Sequence, residues 1–465
     1  MSTLTRLVER IPPRFHSAAV YLPVLVVAAL IRLINLGNPQ ALVFDEVYYV
    51  RDAWSMWNLG YEAQWVDAAD FAHGDTNAYA NQGAFIAHPP LGKWLIALGM
   101  AAFGPTNPFG WRITTALAGI AVVLLVMVIA RRLFGSLGIA ALAGSLVAID
   151  GIAITMSRTA LLDGILAAFI LAAFLAVLRH LDTPGWGGWL IVAGVLLGAA
   201  TAVKWSGLYA LVAFGVWVTV VETVRHYKAN KGFDWLWGST GSLLKNIAFV
   251  WPIAIVTYVA SWSGWFATRG GWGRTWAEDS GVGSGLWATV RSFWKYHRDI
   301  YDYNIGLTTP HSYAANPFSW LALVRPTAFY YEPLAGDQVQ YITSIANPIL
   351  WWAGGISLLV LLVVMIRRPS WNVGAILVGV AATYLPWLFF SNRTMFQFYT
   401  VTLEPFLVLA LVWVLIWMWR KHLRFIVVIF LAVVVAISGF FLPVWMGWPI
   451  PSWFAAAHYW FPNWI

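Results

Sequence analysis

Long apolar runs recur along this 465-residue chain, and they decide what it can fold into. A helix that crosses a bilayer core needs ~20 mostly apolar residues. We read eleven such runs, at about 17–36, 112–130, 137–154, 163–179, 188–203, 205–222, 247–264, 347–366, 371–390, 399–419 and 425–443. Charged residues make up 10% of the chain, against roughly 25% in an ordinary soluble domain. A water-facing surface cannot be built from that composition, and a disordered chain is excluded by the same numbers. The expectation is an all-α polytopic membrane protein with one domain over 1–465. The 31 Trp suit headgroup layers, where an amphipathic ring meets both water and lipid. The absence of cysteine rules out disulfides, thiol catalysis and Cys-ligated metal. The first apolar run is long enough to span and lacks a small-x-small cleavage site, so no cleavable leader is expected.

Charge orients the spans. With the N-terminus placed on the cytoplasmic side, the inner ends carry 15 basic residues against 4 acidic ones, +11. The remaining 13 basic and 16 acidic residues give −3, and the sum is the net charge of +8. Arg131, Arg132, Arg179, Lys245, Arg367, Arg368 and Arg420 fall at inner helix ends, as the positive-inside rule requires. The basic balance therefore reports membrane orientation, and nucleic acid is not an expected partner. Two long segments, 37–111 and 265–346, fall on the outer side with 7 and 6 acidic residues. A C-terminal four-helix part follows at 347–465. Within the first outer loop, the apolar stretch from Leu91 to Phe103 is short for a span and is expected to lie in the interface.

The unusual chemistry collects on that outer side. Asp45 and Glu46 follow the first span, flanked by aromatic and aliphatic residues. Apolar neighbours raise a carboxylate's pKa, which suits a general base. The same pair fits solvated loop acids or a helix N-cap. Five cations share this side: Lys93, Arg112, Arg158, Lys204 and Arg393. Each taken alone reads as snorkelling or pairing with Asp150, Asp163 or Asp45. Together they suit a phosphate, for which Arg offers a fork and Lys a point charge. His88, before Pro89-Pro90, fits either a group that orients substrate or a capped interfacial histidine. No H-x-x-x-H or H-E-x-x-H spacing occurs, so no metal site is expected, although Asp45 and Glu46 leave a divalent cation open. No other cofactor is expected. The glycines of Arg269-Gly270-Gly271-Trp272-Gly273-Arg274 read as a flexible turn. These parts fit transfer of a sugar from a polyprenyl phosphate, with the tail in the bilayer, the phosphate at the headgroups and the sugar in water. A transferase with a lipid or glycan acceptor would share them. A polyprenyl-lipid transporter predicts ionisable residues at mid-membrane, whereas most runs here are uncharged at their centres.

Several motifs, in this order, resemble the protein O-mannosyltransferase family in its bacterial form. They are Phe44-Asp45-Glu46-Val47-Tyr48-Tyr49, His88-Pro89-Pro90-Leu91-Gly92-Lys93, Ser157-Arg158 through Leu162-Asp163, Lys204-Trp205-Ser206-Gly207-Leu208, and Asn392-Arg393-Thr394-Met395-Phe396-Gln397-Phe398-Tyr399. The resemblance covers nearly the whole chain. It implies a GT-C membrane fold and inverting transfer of mannose from polyprenyl-phosphate-mannose to Ser or Thr of secreted proteins. It implies Asp45 as catalytic base and Glu46 as a partner in positioning. It implies Arg112 as a donor-phosphate ligand, with Lys204 and Arg393 in the same pocket. His88, Lys93, Arg158, Asp163 and His311 are candidates for substrate positioning. The implied setting is the bacterial plasma membrane, with the acceptor arriving extended from the Sec translocon. The second outer loop leaves no room for the β-trefoil insert of the eukaryotic members.

Overall fold

The computed structural model describes residues 16–183, 187–230 and 232–464. Arg6, Glu9, Arg10, Arg14 and Lys231, counted above on the cytoplasmic side, lie outside the described residues. The principal helices are α1 (His16–Leu33), α2 (Glu46–Leu59), α3 (Leu91–Phe103), α4 (Pro108–Phe134), α5 (Leu137–Ala148), α6 (Gly151–Arg158), α7 (Leu162–Asp182) and α8 (Gly188–Val203). They continue as α9 (Gly207–Ala229), α10 (Asp234–Ser261), α11 (Gly285–Gly306), α12 (Pro348–Arg367), α13 (Trp371–Thr383), α14 (Glu404–Arg420) and α15 (Arg424–Met446).

Each of the eleven apolar runs is helical over most of its length. Among the described residues, seven helices are long and apolar enough to cross a membrane alone: α1, α4, α7, α9, α10, α12 and α15. The run at 137–154 departs from the expected straight span. It breaks into α5 and α6, which meet at a 61° bend. Asp150 causes the break: its carboxylate accepts from Ile152 N as the N-cap of α6, and also from Asn347 N and Trp351 Nε1. An N-cap satisfies orphan amides at a new helix start. The runs at 188–203, 371–390 and 399–419 give helices of 16, 13 and 17 residues.

Both long connections re-enter the helical bundle through the same device. Asn107-Pro108 starts α4 and Asn347-Pro348 starts α12; each Asn side chain accepts an amide of the first turn, and each Pro sits where no N–H is needed. The long connections also carry strands, which the sequence reading lacked. The pair β1 (Ala63–Trp65) and β2 (Tyr79–Gly83) is antiparallel. A second antiparallel sheet runs in the order β3 (Ala328–Leu334), β4 (Gln338–Thr343), β5 (Pro449–Pro451), with Tyr331 opposite Tyr341 and Val339 opposite Ile450.

Many aromatics serve as glue between the two connections. Trp262, Trp265, Tyr296 and Ile300 form a buried cluster, packed by Phe85, Trp205 and Tyr258. The expected flexible turn at 269–274 is instead packed into this contact. A Cβ on Gly83 would lie 2.3 Å from Trp272 N, and one on Gly270 would lie 2.2 Å from the Tyr61 hydroxyl. At Gly83 the contact is backbone against backbone, which admits only glycine.

Candidate active site

Asp45 and Glu46 are adjacent in sequence and diverge in space. Asp45 is the N-cap of α2 and Glu46 its first residue, so their side chains leave the helix about 100° apart. Glu46 points inward and is fully buried. It accepts Arg112 Nε and Nη2 at 2.8 Å each, Val43 N at 2.8 Å and Ala160 N at 2.8 Å. Arg112 in turn donates to the carbonyls of Leu36, Pro39 and Ala41. All five of its N–H groups are engaged, the full inventory of a guanidinium. In this arrangement every Arg112 N–H already has a protein acceptor, and both Glu46 oxygens have protein donors. The pair is a buried clamp that ties the Asp45 segment to the start of α4. It also removes Glu46 from the divalent site left open above. Among the described residues, no group of three His, Cys, Asp or Glu comes together.

The other cations differ in what they hold and in whether they line a cavity. Arg158 donates to the carbonyls of Ile31, Arg32, Ile34 and Asn35, which closes the C-terminus of α1. Lys93 is fully buried, 2.5 Å from Glu62 and 3.0 Å from the His88 carbonyl. Neither lines the cavities described below. Asp163 accepts from Lys204 Nζ at 2.9 and 3.0 Å and so positions that cation. Lys204 lies 4.0 Å from the centre of the Tyr399 ring and keeps donor capacity to spare. Arg393 donates to Asn304 Oδ1 at 2.8 Å, while its buried Nε has no partner. Of the five expected cations, Lys204 and Arg393 are the ones that line the cavities described next.

These two cations line a cavity of about 330 Å³ with His88, Trp205, Leu208, Tyr209, Trp387 and Phe390. Leu208, Ile305 and Phe390 of that lining are exposed at its rim, so it opens sideways onto apolar surface. A second cavity, of about 500 Å³, adjoins it and shares His88, Asn304 and Arg393. Asp45 lines this second cavity with Tyr49, Asp52, His311 and Tyr399. Asp45 is half-buried at its wall. Burial pushes its carboxyl up to about 6, opposed by the Lys204 charge and reinforced by Asp163. Burial and the Lys204, Lys93 and Arg393 charges hold the His88 imidazole well below its ordinary value, so it is neutral. The Asp45 carboxyl and the Lys204 and Arg393 cations thus line one two-part hollow.

The family model for dolichyl-phosphate-mannose-protein mannosyltransferase matches residues 23–263. That span holds the Asp45 segment, the His88 turn and Lys204. The chain belongs to this mannosyltransferase family. A model for the C-terminal four-span region of protein O-mannosyltransferases matches 289–464. Among relatives of this mannosyltransferase chain, the polyprenol-phosphate-mannose–protein mannosyltransferase of Mycobacterium tuberculosis is 32% identical over 94% of this chain and 90% of its own length. That of Corynebacterium glutamicum is 29% identical over 92% and 88%. The fold matches the protein O-mannosyltransferase complex of S. cerevisiae bound to its sugar donor, with TM-score 0.76 at 16% identity over 100% of this chain and 94% of that one. ArnT from Cupriavidus metallidurans matches with TM-score 0.51 at 18% identity over 88% and 62%. The mannosyltransferase chain is a multi-pass membrane protein of the GT-C fold.

Sequence reasoning missed Asp52, Tyr49, Asn304 and Tyr399. Asp52 had a signal: it stands seven residues after Asp45, two helical turns on and on the same face.

Proposed function

We propose that this chain transfers mannose from a polyprenyl-phosphate-mannose donor to the hydroxyl of Ser or Thr in an extended polypeptide. The observation that supports it is the two-part hollow with Asp45 on one wall and Lys204 and Arg393 at the junction. The donor phosphate sits on Lys204 and Arg393, and its tail leaves past Leu208, Tyr209 and Phe390. The acceptor enters from the mouth near Tyr48 and His311. Asp45 takes the hydroxyl proton as the oxygen attacks the anomeric carbon from the face opposite the phosphate. The bond from that carbon to the phosphate oxygen breaks, and the electron pair leaves on the polyprenyl phosphate, where the two cations hold it. Attack from the far face inverts the centre, so a β-linked donor gives an α-linked product. The site faces the outer side of a bacterial plasma membrane, with the N-terminus inside and acceptors delivered by the translocon.

The test supplies the purified protein with labelled polyprenyl-phosphate-mannose and a Thr-containing peptide. One hexose on the peptide, α-linked, is expected. Label on a lipid or glycan and none on peptide would favour the other acceptor class. Removal of one phosphate contact gives a second expectation. Lys204→Met, which keeps the stem and loses the charge, is expected to lose ~10²-fold in kcat/KM, typical of one preorganised electrostatic group. Steady-state kinetics with varied donor checks this. The same loss also frees Asp163, so Asp163→Asn/Lys204→Met should be no worse than the single variant.

A further inference from the structure

Asp52 is a buried acid in the reaction cavity that the chemistry above does not use. It lies on α2 two turns beyond Asp45, about 10.5 Å along the helix axis at 1.5 Å per residue. Both line the same cavity, and Asp52 is 5% exposed. Its Oδ2 has no hydrogen-bond partner, which is costly for a buried carboxyl. The nearby Lys93 binds Glu62 and the His88 carbonyl and makes no hydrogen bond to Asp52. Between the two acids the wall is Tyr49 and His88, whose rings lie 6.2 Å apart and offer flat surfaces. Burial pushes the Asp52 carboxyl up to about 7, against the Lys93 charge and with that of Glu62. Near neutral pH it can therefore accept a hydrogen bond or donate one.

The anomeric carbon must stay beside Asp45 and the cations, so the rest of the sugar ring extends along this wall. We propose that Asp52 is a specificity-determining residue that hydrogen-bonds a ring hydroxyl of the transferred sugar, remote from the anomeric carbon. This rests on the donor reading above. Its ligand is a neutral hexose hydroxyl, which meets the Asp52 carboxyl where that side chain lines the cavity.

The experiment uses the full-length protein in nanodiscs, with polyprenyl-phosphate-mannose and its singly deoxygenated analogues as donors and a Thr-containing peptide as acceptor. Wild type is expected to lose about 10–100-fold in kcat/KM on one deoxy donor, because a buried polar group is left unpaired. Asp52→Ala is expected to lose a similar factor on the mannose donor. On that one deoxy donor Asp52→Ala should stay within about threefold of wild type, since both changes remove the same contact and do not add. Additive losses on every deoxy donor overturn the inference, as does wild-type kcat/KM for Asp52→Ala on the mannose donor. Should Asp52→Ala fail to fold, Asp52→Asn carries the same comparison, and an unchanged ranking of the deoxy donors overturns the inference. An Asp45→Asn arm separates the two readings. Loss of transfer in Asp45→Asn without donor-selective coupling at Asp52 sinks only the Asp52 inference. Full turnover in Asp45→Asn sinks the base assignment instead.

Discussion

Asp45→Asn is expected to bind donor with near wild-type KM and to lose about 10²–10⁴-fold in kcat, the range for a positioned general base. The amide has the size and hydrogen-bonding reach of the carboxylate but cannot take a proton. Asp45 makes no side-chain cap bond to α2, so the helix keeps its start. Its segment is fixed independently through Glu46, which holds Val43 N, Ala160 N and Arg112. Phe44, at φ 51, is also gripped by Phe329 at 4.9 Å and by Phe396 and Phe398. The loss should therefore appear in turnover and not in the folded yield. Donor titration and single-turnover rates on one preparation check both halves.

Arg112→Ala is expected to damage the fold. It leaves Glu46 buried without its counter-charge and strips donors from the carbonyls of Leu36, Pro39 and Ala41. Breaking a buried ion pair from one side costs about 3–5 kcal/mol, because the remaining charge stays out of water. Thermal unfolding in detergent should show a large drop, and Glu46→Ala should cost a comparable amount. The double variant should be less unstable than the sum, since the second change removes the orphaned charge. A folded, thermally normal Arg112→Ala with a raised donor KM would instead restore Arg112 to the phosphate site.

The contrast between Asp45 and Arg112 shows what the chain discloses by itself. Composition and run length expose the helical membrane fold, because lipid demands them locally. The Asp45 motif, Lys204 and Arg393 are legible as unusual chemistry at helix ends. Whether a cation is free depends on partners that tertiary contact brings up. Glu46 lies 66 residues from Arg112, and Asp163 lies 41 from Lys204. Nothing in local pattern tells the spent guanidinium of Arg112 from the open one of Arg393. The bend at Asp150 was signalled by one acid inside an apolar run. The hairpin β3–β4 was signalled too: Gly336 and Asp337, at φ 73 and 55, form the kind of turn that joins aromatic and β-branched strands. Its Phe and Tyr masked it, since interfacial helices and strands draw on the same residues.

Proton abstraction by Asp45 has one direct kinetic signature, the pH dependence of kcat/KM, which reports the groups of the free protein. The base works only when ionised, and burial places its carboxyl at about 6. The rate should therefore be level above about pH 7 and fall roughly tenfold per pH unit below about pH 6, as the carboxylate gains a proton. A rate that holds constant down to about pH 5, in protein that remains folded, would contradict the account.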